Sequence, residues 1–185
     1  MDQTGDRSGE NQRCKAACVI LDAGFGPDVL AGTGQRWRFV CDQVMGGVST
    51  GSLQREKVAG EMALHLRGDV RLENNGGFVQ MALPLAPFGQ VFDASRYRGL
   101  RLRVRGNSAH YNLHLRSADM TAVWQSWRAS FTAAEDWRDI VLLFTAFRPH
   151  RTDLPVDPAR LTRLGLVAIG QQMQADLALA RLDLV

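Results

Sequence analysis

"GLRLRVRGNSAHYNLHLR", Gly99 to Arg116, contains two runs in which apolar and polar residues alternate. In the first, Leu100, Leu102 and Val104 fall on one side and Arg101, Arg103 and Arg105 on the other. In the second, Tyr111, Leu113 and Leu115 alternate with His110, Asn112, His114 and Arg116. A period of two marks a strand with one face buried. The intervening "GNSA", Gly106 to Ala109, is short enough for a hairpin loop. With Arg105 opposite His110, Val104 meets Tyr111, Leu102 meets Leu113 and Leu100 meets Leu115. That register puts every apolar residue on one face. It also sets Arg101 opposite His114 and Arg103 opposite Asn112, with Arg116 just beyond.

Working outward, further short strands are expected at Cys18–Asp22, Trp37–Cys41, Met62–Leu66, Val70–Glu73 and Phe78–Leu83. Others follow at Ser126–Thr132, Trp137–Phe144, Leu164–Ile169 and Leu177–Leu184. Only "DPARL" has a helical start, with Asp157 as N-cap and Pro158 in the first helical position. Many short strands and almost no helical periodicity predict an all-β sandwich of two antiparallel sheets. The whole of residues 14–185 reads as one such domain, preceded by a disordered polar tail over residues 1–13.

Composition narrows the function classes. The chain has 185 residues, of which 45% are hydrophobic and 22% charged, with a net charge of +3. These values suit an ordinary globular domain and give no reason to expect nucleic-acid binding. No apolar run is long enough to span a bilayer as a helix. The opening "MDQTGDRSGENQRC" has neither the apolar core of a signal peptide nor the basic, acid-poor character of a transit peptide. Cys14, Cys18 and Cys41 are too few for a disulfide framework, which fits a reducing cytoplasm.

Two glycine-rich stretches interrupt the alternation. In "DQVMGGVSTG", Asp42 to Gly51, the carboxylate is positioned to accept backbone N–H groups in an Asx-type turn. Gly46 and Gly47 permit positive φ or close backbone approach, and Val44 and Met45 are expected to plug the space beneath the turn. In "ENNGGF", Glu73 to Phe78, Asn74 and Asn75 tolerate the left-handed region before Gly76 and Gly77. Neither stretch has a phosphate-cradling or dinucleotide-binding pattern around it.

These stretches resemble the D-x-VMGG-x-S-x-G and NNGGF elements of the complex I intermediate-associated protein 30 family. "DASRYRGLRLRVRGNSAHYNLHLR" is similar to the family's D-x-S-x-Y-x-GL-x-L-x-V-x-G segment and the Tyr-bearing strand after it. "WRDIVLLFTAFRP" and "LTRLGLVAIG" continue the resemblance, which runs from about residue 36 to the C-terminus. The chain departs from the pattern at Trp127, where a tyrosine is usual, at Leu143, where proline is usual, and around Ala175 and Asp176. The resemblance implies a galactose-binding-like jelly roll with a non-catalytic role and no cofactor. It points to an assembly factor or chaperone-like protein whose partner is a protein, such as a respiratory-complex subunit. With no transit peptide, a bacterial cytoplasmic homologue is the implied setting. The resemblance also marks Asp42, Met45, Gly46, Gly47, Ser49, Asn74, Asn75, Gly76, Gly77 and Phe78 as the family-motif loops.

For a ligand or partner, the candidates are Arg101, Arg103, Arg105, His114, Arg116, Trp124 and Arg128. Arginine's forked donors suit carboxylates and phosphates, and an exposed Trp suits a sugar or a protein anchor. Trp124 lies in a loop-like stretch and Trp137 is a further candidate border, whereas the alternation around Trp127 assigns that ring to the core. Carbohydrate or another small polar or anionic ligand is the alternative to a protein partner. Asp42, Glu73 and Asn74 offer oxygens to a structural calcium, though their spacing is not that of an EF-hand. His65, His110, His114, His150, Ser49, Ser126 and Ser130 lie in no recognised nucleophile context, so no catalytic residue is assigned.

Overall fold

A computed structural model describes residues 18–23, 31 and 33–185 of the chain. The expected tail over residues 1–13 and Cys14 lie outside these described residues. Twelve antiparallel strands are formed among them: β1 (Cys18–Asp22), β2 (Arg38–Cys41), β3 (Thr50–Val58), β4 (Glu61–Val70), β5 (Phe78–Pro84) and β6 (Gly99–Gly106), then β7 (His110–Ser117), β8 (Ser126–Thr132), β9 (Arg138–Leu143), β10 (Arg148–His150), β11 (Leu161–Ile169) and β12 (Met173–Leu184). The first sheet has the order β3-β4-β12-β6-β9, with β1 pairing onto the C-terminal part of β12. The second has the order β10-β8-β7-β11-β5-β2.

The sandwich closes around one main core. Leu100, Leu102, Val104, Leu64, Leu66, Leu177 and Leu179 enter from the first sheet. Tyr111, Leu113, Leu115, Trp127, Met81, Leu83 and Leu166 enter from the second. Each alternates with outward residues, as a sheet buried on one face requires.

The hairpin expected at Gly106–Ala109 does not form. β6 pairs with β12 and β9, whereas β7 pairs with β8 and β11. The connection crosses from one sheet to the other. Gly106 N donates to Ala134 O at 2.7 Å and Ser108 N to Ala133 O at 2.8 Å, so this segment bonds to the β8–β9 connection. The Tyr111 hydroxyl locks the crossing, donating to Asn107 Oδ1 at 2.8 Å and accepting from Asp176 N at 2.9 Å. A period of two reports which face a residue occupies and says nothing of its neighbours. Leu102 and Leu113 do share one core, but they reach it from opposite walls.

Other departures have equally local causes. Met62–Leu66 lies within the longer strand β4, whereas the separate strand expected at Val70–Glu73 does not form: Val70 ends β4 and Glu73 opens a 3-10 turn over Glu73–Asn75. The apparent breaker Gly68 sits inside β4 because a Cβ there would lie 2.8 Å from Thr50 O and 3.1 Å from both Val79 methyls. β3 was not anticipated, since its polar sequence TGSLQREKV lies at a sheet edge where little is buried. β10 is only three residues long and contains Pro149, a residue at home on an edge. The start at Asp157 forms as read: its side chain accepts from Ala159 N at 2.9 Å, opening a 3-10 turn over Pro158–Arg160.

Candidate functional site

The two glycine-rich loops are halves of one knot. Asp42 is fully buried and accepts from Ser49 N (2.9 Å), Gly77 N (2.5 Å), Phe78 N (3.2 Å) and the Ser49 hydroxyl. Burial pushes this carboxyl up, but the bonds from Gly77, Ser49 and Phe78 outweigh it and hold it below the ordinary value. Glycine is required on both sides. A Cβ on Gly47 would lie 2.4 Å from Asp42 Cγ, and one on Gly76 would lie 2.5 Å from Asp42 Oδ2. Gly46 takes φ +87°, while Asn74 and Asn75 take +57° and +56°, the left-handed values their types suggested. Asn74 then donates to Gly46 O at 3.2 Å, and Arg71 N donates to the Ser49 hydroxyl at 2.9 Å.

Val44 and Met45 do not plug this knot. They are 74% and 59% exposed, because the volume beneath the turn is taken by the Asp42 carboxylate and its donors. Nor does the knot resemble a calcium site. Asp42 oxygens facing N–H and O–H donors are not turned toward a cation, Glu73 is paired with Arg71, and Asn74 uses its amide as a donor. Ser49 is committed to Asp42 and to the Arg71 backbone, so its hydroxyl is a structural link.

The proposed arginine surface is divided between the two outer faces. On the first sheet, Arg101 pairs with the buried Asp183 at 3.2 Å, and Arg181 reaches the same carboxylate at 3.0 Å. Arg103 grips Glu61 through Nε (3.1 Å) and Nη2 (2.6 Å), with its guanidinium 5.8 Å from the Trp137 ring centroid. Arg105 stands opposite Ala178. This face also holds His65, whose Nδ1 lies 2.7 Å from Glu56 and Nε2 2.6 Å from Asp176. Carboxylates from neighbouring strands therefore answer its main cations. A hollow of about 410 Å³ at the end of this sheet, lined by Thr50, Ser52, Arg67, Asp69, Gln174 and Asp176, contains no anticipated site residue.

The second sheet carries His114, Arg116 and Arg128 on its outer face, together with Arg163 and His150. His114 faces Arg128 on β8 and Gly165 on β11; one row along, Arg116 faces Arg163. Among the described residues, none of these arginines forms an ion pair. Burial pushes His114 down to about 3, and the charges of Arg128, His150 and Arg163 push in the same direction. Burial also lowers Arg116, Arg128 and Arg163. The His114 Nε2 atom is shut off from solvent without a hydrogen-bond partner. Such an uncompensated arrangement is costly for a fold to keep.

Arg116 has a second task. Its Nη1 donates to Ala122 O (2.8 Å), Val123 O (2.7 Å) and Gln125 O (2.7 Å), pinning the loop that presents Trp124. Trp124 is 58% exposed as expected, whereas Trp127 is buried with Nε1 donating to Leu154 O at 2.9 Å. Trp137 lies on the other sheet and does not border this cluster. Arg163 is not a residue that the sequence singles out, and His150, weighed there only as a possible base, was not expected on this face. In "LTRLGLVAIG" the outward positions beyond Arg163 include Gly165 and Val167, so no alternation flagged the arginine, and three-residue β10 gives no periodic signal.

The family model described as complex I intermediate-associated protein 30 matches residues 30–180. No curated relative matches the sequence at a significant level. Among solved structures, the chain is similar to the family 11 carbohydrate-binding module of the cellulosomal cellulase Lic26A-Cel5E of Clostridium thermocellum. The TM-score is 0.69 at 13% identity, covering 91% of this chain and 94% of that one. The Clostridium thermocellum family 11 module in complex with a β-1,3-1,4-mixed-linked tetrasaccharide gives 0.67 at 13% identity, covering 91% and 95%. A family 30 carbohydrate-binding module gives 0.60 at 14% identity, covering 91% and 98%. At these identities the likeness is one of fold, a galactose-binding-like β-sandwich.

Proposed function

The chain belongs to the complex I intermediate-associated protein 30 family, and from that premise we propose that it is a non-catalytic binding module serving as an assembly factor for a protein complex. Its partner is received on the outer face of the second sheet. One observation carries this placement: the arginines Arg128 and Arg163 have no carboxylate partner among the described residues, whereas Arg101 and Arg103 on the opposite face are each neutralised within the fold. A surface that meets its own electrostatic needs is finished, and one that does not is suited to a complementary partner.

The test is affinity capture from the source cells followed by mass spectrometry. The wild-type chain is expected to bring down a defined protein set that is lost on Arg128→Glu with Arg163→Glu. It should survive Arg105→Glu with Arg138→Glu, an equal change in net charge on the first sheet. Capture unaffected by the Arg128 and Arg163 reversal contradicts the placement. A second reading, a carbohydrate-binding module, draws on exposed Trp124 at the rim of the same face and on the fold shared with carbohydrate-binding modules. It predicts saturable glycan binding that Trp124→Ala weakens.

A further inference from the structure

On the basis of that placement, the geometry points to the chemistry of the partner: an extended acidic peptide segment, with carboxylates at alternate positions, lying along β11 between β7 and β5. The trough for it is visible in one row of the sheet. From Arg128 and His114 the cross-strand neighbours shrink to Gly165 and Ala82, then rise again at exposed Arg38. A Cβ at Gly165 would lie 2.7 Å from Gln80 Oε1, so a polar amide lies across the floor.

Cations line this trough at a regular interval. The Arg116–Arg163 row and the His114–Arg128 row are two residues apart along their strands, which is roughly 7 Å in extended backbone. An extended peptide spaces its own same-face side chains by the same distance. Carboxylates at positions i and i+2 of a segment over β11 would therefore fall on the Arg163 row and the Gly165 row, the first meeting Arg163 and Arg116 directly and the second drawing in Arg128, which stands two strands away on β8 beyond His114. Guanidinium forks accept such groups in paired, charge-assisted bonds. A negative charge there also relieves the repulsion between Arg116 and Arg163 and the cost of holding Arg128 partly buried.

The probe is a synthetic peptide with glutamate at alternate positions, measured by fluorescence anisotropy. Controls are the same composition with the glutamates in one block at an end, and sodium polygalacturonate. The alternating peptide is expected to bind the full chain and to weaken about tenfold or more as salt rises from about 50 to about 300 mM, since screening shortens the reach of surface charges. Arg128→Glu with Arg163→Glu should abolish binding, and the milder Arg163→Gln should weaken it with thermal unfolding unchanged. Arg105→Glu with Arg138→Glu should leave it intact. No binding at low salt, equal binding of the block peptide, or binding of polygalacturonate alone would overturn the inference. If cellular capture is still lost on Arg128 and Arg163 reversal while the peptide fails, the acidic segment is wrong and the placement stands. If capture is indifferent to that reversal, the placement itself has failed.

Discussion

Asp42 is a fully buried charged group, held by donors from two loops remote from each other in sequence. An amide in its place must turn an NH2 group toward at least one of those backbone donors. Asp42→Asn is therefore expected to destabilise the fold by about 2–3 kcal/mol, the cost of an unmatched buried donor pair, in urea denaturation. Gly47→Ala should cost about 1–3 kcal/mol for a different reason, the overlap of its Cβ with the Asp42 carboxyl. His114 supplies a separate, pH-dependent effect. It titrates at 6.5 when unfolded and at about 3 when folded, so between those values the unfolded chain binds more protons. Its contribution to stability is complete above about pH 6.5 and is lost as the pH falls toward 3. The charges of Arg128 across the strand and of His150 and Arg163 nearby all act in that direction. Urea midpoints recorded between about pH 7 and pH 4 should fall with acidity, and His114→Gln should flatten the slope. An unchanged slope in the variant would show that His114 takes up its proton normally in the folded state. Asp42 acts with the same sign in a lower window: its contribution is complete above the ordinary carboxylate value and is lost as the pH falls through that value and below it.

At the scale of strands, the face of nearly every core residue was legible, and several partners were not. Leu100, Leu102 and Val104 do point inward, as do Tyr111, Leu113 and Leu115. Hydrophobic alternation encodes inside and outside, and both walls of a sandwich share one inside. The choice between a hairpin and a crossing is made by Tyr111, Asn107 and the backbone around Ala133, contacts that no periodicity reveals. The motif loops were readable as turns because asparagine and glycine announce positive φ. Their union at Asp42 was not readable, since the donors are remote in sequence. An engineered cross-link separates the two topologies. Arg101→Cys with Val141→Cys should form a disulfide, because these residues are cross-strand partners on one face of β6 and β9. Arg101→Cys with His114→Cys, neighbours only in the hairpin, should remain reduced in the monomer.

For the molecule as a whole, the account rests on an asymmetry between its faces. One sheet covers itself with Arg101–Asp183 and Arg103–Glu61 pairs; the other gathers Arg116, Arg128, Arg163, His114 and His150 without an acid partner among the described residues. Counting arginines along the chain could not show this difference, because compensation depends on acids brought in by β4 and β12. Among the described residues no helix is long and apolar enough to cross a membrane. The measurement that bears most directly on the asymmetry is site-specific photocrosslinking in the source cells, with a benzophenone side chain placed at exposed Ser130 on β8 or exposed Val141 on β9. The account predicts a discrete protein adduct from position 130 and none from position 141; an adduct from 141 alone would contradict it.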